Sequence, residues 1–376
     1  MESRKLATVN GHRIDIGVSN IDVEKPITVS VVLHSHVDPG WLETFEYYYK
    51  QKVRRILDLA VTNMIDEPAL RFIWSETSFL ARWWRDANNT QKIQMRLLVS
   101  EGRLELCGGA WVMTDEATPH HFASIDNIIE GQRFLYETFG VRPNTSWSVD
   151  PFGHGLMMPY LLPSAGIDHL VIGRINDGQK EQMRQKRTMR FHWRQPYHSA
   201  RKEAPEGPLV NVLPFLYYTT VNGCGPNQTV CCKYHVGESV HRCDGTINLL
   251  TEENVTEHAI ALLDQYRQTQ KLYNTEHILI AVGDDFYMTQ DDDWKTVSNV
   301  YLEIANFFDT HPEHNAKMRF STVSEFFKDL DEEHVPHPSL TGDFFPYVAK
   351  EESPNKYWTG FFTHRPFFKR FGRIVE

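Results

Sequence analysis

ITVSVVLHSHVDPGW, residues 27–41, is a strand-like run that leads directly into two histidines, an aspartate and a Pro-Gly turn. His36 and Asp38 are two residues apart, so their side chains share one face of an extended backbone. Pro39 keeps Asp38 extended and offers no N–H to its carboxylate, while Gly40 permits a sharp turn. The stretch predicts a buried strand whose carboxyl end presents an imidazole and a carboxylate together. By itself, it also fits ordinary polar residues at a strand terminus.

Length and composition are those of a large globular chain. The 376 residues can bury an extensive core, as one α/β domain or two smaller ones. A net charge of −10 argues against a nucleic-acid partner, and the basic run at 180–194 predicts a solvated helix face leading into a strand. No stretch reaches the roughly 18 apolar residues of a membrane span, and the first 17 residues contain no apolar signal-peptide region.

The alternation of strand-like and helical runs predicts the fold class. Helices between strands imply parallel βαβ units with right-handed crossovers, as in an α/β barrel or a doubly wound sheet. Both folds gather functional residues at the carboxyl ends of their strands. The predicted strands are 27–33, 71–74, 103–109, 144–149, 169–173, 209–218 and 277–282, and helical stretches include 42–64, 76–100, 122–139 and 292–309.

Four of these strands end in residues of similar chemistry. A single aspartate at such a position usually caps the next helix, but the combination favours one shared active site. Histidine and carboxylates without thiolates fit a catalytic zinc with an open position. Two carboxyls of different acidity are what a glycosidase uses as nucleophile and acid/base. The residues are His36 and Asp38 after the first strand, Asp150 with His154 close behind, Arg174, and the adjacent pair Asp284 and Asp285.

Five longer motifs resemble the class II α-mannosidases, family 38 of the glycoside hydrolases, in their Golgi α-mannosidase II branch. They run in order from about residue 27 to the end of the chain. The resemblance implies a parallel β/α barrel of about seven strands, followed by the beginning of a helical domain. The motifs are HSHVDPGWLETFEYYY, WSVDPFGHGLMMPY, CGPNQTVCC, ILIAVGDDF and GDFFPYVAKEESPNKYWTGFFTHRP.

The resemblance implies a zinc-dependent, retaining exo-α-mannosidase. Such an enzyme would trim α-1,3- and α-1,6-linked mannose from high-mannose or hybrid N-glycans during glycoprotein maturation. It would reside in the Golgi lumen or membrane, although this sequence has no visible signal anchor, and the family suggests a possible homodimer. No nucleic-acid partner and no membrane-spanning segment of this chain are expected.

Individual roles follow from the same resemblance. His36, Asp38 and Asp150 are the implied ligands of one Zn²⁺, and Asp150 is also the implied nucleophile. Asp285 is the implied general acid/base, with Asp284 as its neighbour. Retaining glycosidases place these two catalytic carboxyls roughly 5 Å apart. The implied sugar-binding residues are Trp41, Phe152, Arg174, Tyr218, Asp284 and Trp358.

Four of the five cysteines lie between residues 224 and 243. Their spacing resembles no standard zinc knuckle, and the vicinal pair Cys231 and Cys232 would more naturally bond outward. The family resemblance suggests disulfides Cys224–Cys231 and Cys232–Cys243, which leaves Cys107 as a buried thiol. With the cysteines, four N-glycosylation triplets favour a secretory lumen; they begin at Asn88, Asn144, Asn227 and Asn254.

The sequence departs from the family pattern near the expected cleft. TTVNGCGP follows Tyr218 in place of an acidic residue and a Pro-His turn, and Tyr287 stands where Arg commonly follows GDDF. The family's His-His-Asp motif, which provides a further zinc ligand, is not found; His120 and His121 are followed by Phe122. We therefore expect a fragment that binds zinc poorly, exposes apolar surface and turns over mannosides weakly or not at all, unless another residue such as His154 or His364 completes the site.

The expected organisation is a leader at 1–26, a catalytic α/β barrel at 27–335, and a connector with the start of a truncated, three-helix-bundle-like domain at 336–376. Two other functions stay open. A metal-dependent polysaccharide deacetylase would also use His and Asp at barrel strand ends, but it has no role for an aspartate that is both ligand and nucleophile. A truncated, non-catalytic glycan-binding form would keep the aromatic cleft without turnover.

Overall fold

The computed structural model describes residues 7–9, 12–14, 25–195, 207–237, 243, 249–349 and 356–375. The chain divides into two compact units, which we call unit 1 and unit 2. Unit 1 comprises Met1–Trp74, Arg82–Glu105 and Tyr217–Val335, and unit 2 comprises Ser75–Ala81, Leu106–Leu216 and Pro336–Glu376.

The strands of the described residues are β1 Ala7–Val9, β2 His12–Ile14, β3 Ile27–Leu33, β4 Phe72–Trp74, β5 Leu104–Leu106, β6 Thr145–Ser148, β7 His169–Ile172, β8 Arg190–Trp193, β9 Leu209–Val212, β10 His277–Val282, β11 Ala316–Phe320 and β12 Ser339–Leu340. The α-helices are α1 Phe45–Tyr48, α2 Arg54–Asp66, α3 Thr77–Asp86, α4 Asn89–Ser100, α5 His121–Phe139, α6 Met158–Ser164, α7 Asp177–Lys186, α8 Thr220–Gly223, α9 Gln228–Cys232, α10 Val255–Gln270, α11 Asp291–Thr310, α12 Val323–Glu332, α13 Gly360–Thr363 and α14 Pro366–Val375. A π-helical turn, Tyr49–Val53, joins α1 to α2, and a short 3₁₀ turn, Pro312–His314, follows α11.

Unit 1 is built around a parallel sheet in the order β10-β3-β11. β3 is the central strand, and six of its seven residues are buried, as the charge-free run Ile27–Leu33 predicts. β10 pairs with it in parallel from His277 opposite Thr28 to Val282 opposite Leu33. This register brings the carboxyl ends of the two strands side by side.

Unit 2 contains a five-stranded sheet in the order β12-β8-β9-β7-β6. Its neighbouring strands are parallel except for the antiparallel pair β8 and β9. β6 and β7 are fully in register from Thr145 opposite His169 to Ser148 opposite Ile172. The residues that follow these two strands therefore leave the sheet at the same edge.

The prediction of an α/β fold with parallel sheets is confirmed. The predicted closed barrel of about seven strands is not confirmed, because the described strands form separate sheets of two, three, five and two strands. The predicted helix at 76–100 is two helices, since the Asn88 side chain accepts a hydrogen bond from Gln91 and starts α4 with a capping box.

The basic run at 180–194 forms the end of α7 and then β8, but its first lysine is not solvated as predicted. Lys180 is 1% exposed. Its ammonium donates to the carbonyl oxygens of Gly173, at 2.6 Å, and Phe215, at 2.8 Å. Burial lowers the pKa of this amine to about 7. The side chain is directed to backbone acceptors at the ends of strands rather than to water.

In the described part of the chain, every helix is too short or too polar to cross a lipid bilayer. The two predicted disulfides, Cys224–Cys231 and Cys232–Cys243, are both present. Cys107 is buried and takes part in neither disulfide, as predicted.

The disulfide pattern predicts the thiol content of the purified protein. Thiol titration in denaturant without reductant should find one thiol per chain, contributed by Cys107, and none in a Cys107→Ser variant. Titration after reduction should find five, the total number of cysteines. Five thiols before reduction would contradict the pairing.

Hydrogen bonds to Glu333 connect the start of β10 with the end of α12. Its carboxylate accepts hydrogen bonds from the His277 imidazole and from the backbone N–H groups of Glu276, at 3.1 Å, and His277, at 2.8 Å. Burial raises the pKa of the Glu333 carboxyl, but the His277 and backbone hydrogen bonds outweigh it and lower the pKa overall.

Glu333→Gln should lower the free energy of unfolding by about 1–3 kcal/mol at pH 7, because it removes charge-assisted hydrogen bonds. The lowered pKa means that the carboxylate stabilises the fold above its ordinary value of about 4.5 and loses this effect as pH falls through the folded value. Urea unfolding at pH 7 and pH 3 measures the difference between the two proteins, and a difference that grows at pH 3 would contradict this account.

Candidate active site

The parallel pairing of β3 with β10 continues beyond the ends of both strands in unit 1. His36 donates its backbone N–H to the carbonyl of Asp284 at 3.1 Å, and Phe286 donates to the carbonyl of His36 at 2.7 Å. An isolated parallel bridge consequently places His36 opposite Asp285. The predicted ligand and the predicted acid/base thus leave the same sheet edge side by side.

His36 and Asp38 lie together as the two-residue spacing predicts. His36 Nε2 is 3.4 Å from Asp38 Oδ1, and their side chains are 5% and 25% exposed. Two ligands that bind zinc at roughly 2.0–2.1 Å with tetrahedral angles are about 3.4 Å apart. The spacing of this nitrogen and this oxygen therefore fits one metal ion without rearrangement.

His34, the other histidine of the opening stretch, is a structural residue. Its Nε2 lies 2.9 Å from the carbonyl oxygen of Tyr218, so the ring donates to that acceptor. Burial lowers the pKa of His34 to about 3, so the imidazole is neutral at physiological pH. His34 is therefore an ordinary polar residue at a strand terminus, which is the alternative that the opening stretch left open.

Gly283 is required by close packing against His34. A Cβ atom at residue 283 would lie 2.4 Å from the His34 carbonyl oxygen and 2.6 Å from its Nε2. Glycine permits this approach of two strand ends because it has no side chain.

Asp285 is held by two tyrosine hydroxyls in unit 1. The Tyr218 hydroxyl donates to Oδ1 at 2.8 Å, and the Tyr217 hydroxyl lies 3.3 Å from Oδ2. Tyr218 is 1% exposed, so its hydroxyl, rather than a freely accessible ring face, is its main contribution to the site. The sequence analysis did not select Tyr217, although this residue is adjacent to the predicted site residue Tyr218.

Asp284 is buried behind Asp285, with 1% exposure. Its Oδ1 accepts the backbone N–H of Asp285 at 2.8 Å, which orients the peptide that carries the acid/base candidate. His235 Nε2 lies 3.7 Å from Asp284 Oδ2. His235 was also missed, because its distance along the sequence gave no indication of this contact.

The backbone after Asp285 is strained. Phe286 and Met288 have φ angles of +49° and +68°, in the left-handed region that bulky residues rarely adopt. The Phe286 ring packs 4.5 Å from the ring of Tyr48, and the Tyr48 hydroxyl accepts the N–H groups of Leu42 and Glu43 at 3.3 Å. These contacts also fix the loop beside Trp41, which is 70% exposed.

A cleft of about 400 Å³ opens beside Asp285 within unit 1. Tyr287 is part of its wall but is 3% exposed, and its hydroxyl accepts the Val236 N–H at 3.2 Å. Burial raises the pKa of the Tyr287 hydroxyl. The cleft is lined by Gln51, Lys52, Arg55, Gly237, Asp285, Phe286, Tyr287, Met288, Thr289, Gln290 and Asp293.

Asp150 and Arg174 meet in unit 2 because β6 and β7 are adjacent parallel strands. The Arg174 guanidinium donates from Nε, at 2.8 Å, and Nη2, at 2.5 Å, to Oδ1 of Asp150. Arg174 is 8% exposed. A partly buried guanidinium that donates twice to one carboxylate oxygen fixes the orientation of the carboxylate.

The same guanidinium lies among the predicted aromatic residues of unit 2. It is 5.2 Å from the ring centroids of Phe152 and Trp358 and 5.9 Å from that of Tyr347. The rings of Phe152 and Trp358 are edge to face at 4.8 Å. Three predicted sugar-binding residues therefore form one cluster, and Tyr347, which sequence reasoning did not select, belongs to it.

Two other histidines were named as possible metal ligands. His154 is fully buried, and its Nδ1 is 2.8 Å from Oε1 of Glu116. His364 is exposed at the end of α13. The rings of His120 and His121 are tilted against each other, with centroids 4.1 Å apart, at the start of α5.

The sequence is similar to proteins of one known enzyme family. Residues 26–350 match the sequence model of the glycosyl hydrolases family 38 N-terminal domain. The chain is similar to alpha-mannosidase 2 of Rattus norvegicus, with 36% identity over 365 residues that cover 94% of this chain and 31% of the relative. Alpha-mannosidase 2 of Arabidopsis thaliana is 36% identical over 375 residues, which cover 94% of this chain and 32% of the relative.

A solved structure shows the same fold. The crystal structure of an alpha-mannosidase from Enterococcus faecalis V583 matches with a TM-score of 0.61 and 16% sequence identity, over 85% of this chain and 31% of that chain. The chain spans about a third of the length of the curated relatives described above.

The close approach at Gly283 gives a prediction for stability. Gly283→Ala should lower the free energy of unfolding by about 1–3 kcal/mol, since the added methyl group collides with the His34 backbone. Gly372→Ala is the matched control, because a Cβ there meets no atom within 4 Å. Thermal unfolding of both variants checks this, and equal stability of the two would contradict the packing argument.

Proposed function

The chain belongs to glycosyl hydrolase family 38, and on that premise we propose that it carries the catalytic residues of a zinc-dependent, retaining exo-α-mannosidase. The observation that carries the proposal is the contrast between two aspartates. Asp150 is held by the Arg174 guanidinium, whereas Asp285 is held by the neutral hydroxyls of Tyr217 and Tyr218. Two carboxyls in different environments can take the different roles that glycoside hydrolysis needs.

Asp150 is the proposed nucleophile. Its charged, oriented carboxylate attacks the anomeric carbon of a terminal mannose and forms a covalent glycosyl-enzyme. Asp285 donates its proton to the departing glycosidic oxygen in this step. It then takes a proton from the water that releases the sugar, so that two inversions give net retention.

His36, Asp38 and Asp150 are the proposed ligands of one Zn²⁺. Family membership supports this set, and so does the 3.4 Å separation of the His36 nitrogen and the Asp38 oxygen. When bound, the metal would supply an electrophilic anchor for the vicinal O2 and O3 hydroxyls of mannose and help to hold the ring in a distorted shape.

The sugar ring is proposed to pack against Trp41, Phe152 and Trp358. Arg174 keeps Phe152 and Trp358 in one cluster and orients Asp150 at the same time. Tyr218 is proposed to act mainly through its hydroxyl, which holds the proton donor Asp285. Asp284 supports Asp285 through its backbone N–H.

The natural substrate is proposed to be the terminal α-1,3- and α-1,6-linked mannose of high-mannose or hybrid N-glycans, processed in the Golgi lumen. The mannosidase names of the relatives support a mannose-containing substrate, and the two disulfides support a lumenal compartment. Residues 27–335 are proposed to form the catalytic barrel, and 336–376 a connector and the start of a helical domain. Homodimerisation is proposed from the family alone.

Turnover of p-nitrophenyl α-mannoside with and without a chelator tests the activity. The protein should release p-nitrophenol and lose activity on chelation, and NMR should detect the α-anomer of mannose as the first product. A β-anomer first product would overturn the retaining mechanism, and chelator-insensitive turnover would overturn zinc dependence. Absence of all turnover would argue for the glycan-binding form.

Two variants test the division of roles. Asp150→Ala should abolish turnover of every mannoside and weaken zinc binding. Asp285→Ala should retain zinc and lower kcat about 10²–10⁴-fold for substrates with poor leaving groups, with a much smaller loss for good ones. Asp309→Asn, on the exposed face of α11, is the control with unchanged kinetics. Equal loss of zinc in both alanine variants would show that the roles are wrongly assigned.

A further inference from the structure

The turn that follows Asp150 is hydrogen-bonded to a buried glutamate, Glu116. Neither the sequence motifs nor the proposed chemistry gives this residue a role. Glu116 has a side chain that is 3% exposed. Its Oε1 lies 2.8 Å from Nδ1 of His154, and its Oε2 accepts the backbone N–H of Gly155 at 2.7 Å. One carboxylate therefore takes both a side-chain and a backbone donor from two successive residues of the turn.

His154 is fixed mainly through Glu116. The ring is fully buried, and Nδ1 must donate, since a carboxylate oxygen accepts. Within the described residues, Nε2 of this ring is buried and has no hydrogen-bond partner. The bond to Glu116 is thus the one polar contact of the ring in that part of the chain, and it determines how the imidazole is oriented.

The turn also makes close contacts with Phe344 and Phe345. The carbonyl of His154 accepts the N–H of Phe344 at 2.9 Å. Gly153 has a φ of +96°, and a Cβ there would lie 2.5 Å from the ring of Phe345. Glycine at this residue lets the turn bend under that ring.

A backbone hydrogen bond also links the turn after Asp150 to Arg174. The N–H of Gly153 donates to the carbonyl of Arg174 at 3.1 Å, and the Arg174 side chain in turn holds Asp150 Oδ1. The chain of contacts from Glu116 through His154 and Gly153 therefore closes on the carboxylate of Asp150.

We propose that Glu116 and His154 are a positioning pair that holds Asp150 and Phe152 in the geometry needed for nucleophilic attack. The role rests on the proposed function, because it assigns the pair to the Asp150 step. Neither residue touches substrate in this proposal. Their contribution is to keep the turn rigid, since misplacing a nucleophile by about 1 Å can cost about a hundredfold in rate.

Glu116→Gln tests the pair with little change of shape. A carboxamide can accept from one of the two donors, but its NH₂ group then faces the other donor. Hydrogen exchange of the peptide covering residues 150–157 should become at least about tenfold faster. With p-nitrophenyl α-mannoside, kcat should fall about 10–100-fold while KM changes less than about threefold.

Glu333→Gln is the matched control, because Glu333 also binds a histidine Nδ1 and backbone N–H groups, but in unit 1. It should lose comparable thermal stability and leave exchange at 150–157 and kcat unchanged. His154→Ala should reproduce Glu116→Gln, and His154→Asn should restore part of kcat, since its amide nitrogen can replace Nδ1 as the donor to Glu116.

The outcomes separate the pair from the proposed activity. Unchanged exchange at 150–157 in Glu116→Gln, or an equal increase in Glu333→Gln, overturns the positioning role. If wild-type protein hydrolyses no mannoside, the proposed function fails, and exchange at 150–157 still decides whether the pair holds the turn. If Glu116→Gln does not fold, the comparison of His154→Ala with His154→Asn decides in the same way.

Discussion

The parallel register between β3 and β10 is the constraint on which the chemistry of unit 1 depends. The backbone hydrogen bonds from His36 to Asp284 and from Phe286 to His36 extend this register beyond both strands. A slip of one residue would turn His36 and Asp285 to opposite faces. Gly283 permits the close approach, and His34 provides the neutral, buried ring against which it packs.

In unit 2 a charged side chain adds to the backbone pairing of two adjacent strands. β6 and β7 end side by side, and Arg174 reaches back from the second strand to the aspartate that follows the first. Its guanidinium also lies against three aromatic rings. One cation therefore sets the orientation of a carboxylate and the arrangement of the apolar surface around it.

The sequence predicted those parts of the molecule that local patterns encode. The uncharged run Ile27–Leu33 and the apolar run His277–Val282 were recognisable as strands, and the spacing of His36 and Asp38 predicted their shared face. Contacts that side chains in loops make with distant partners were not predictable. Tyr217, His235 and Glu116 reach their partners across 38 to 68 residues, and polar residues in loops give no periodic signal. The closure of the sheets could not be predicted either, because strand order depends on packing rather than on the spacing of runs.

The strained backbone after Asp285 has a consequence for the evolution of the protein. Phe286 and Met288 hold left-handed conformations that glycine or asparagine would adopt at lower cost. Selection for heat resistance alone would therefore favour replacing them, whereas the Phe286 ring is needed against Tyr48. A lineage that keeps bulky residues here has a lower free energy of unfolding than it could reach, and it keeps the shape of this loop. Such a trade of stability for activity is common in proteins.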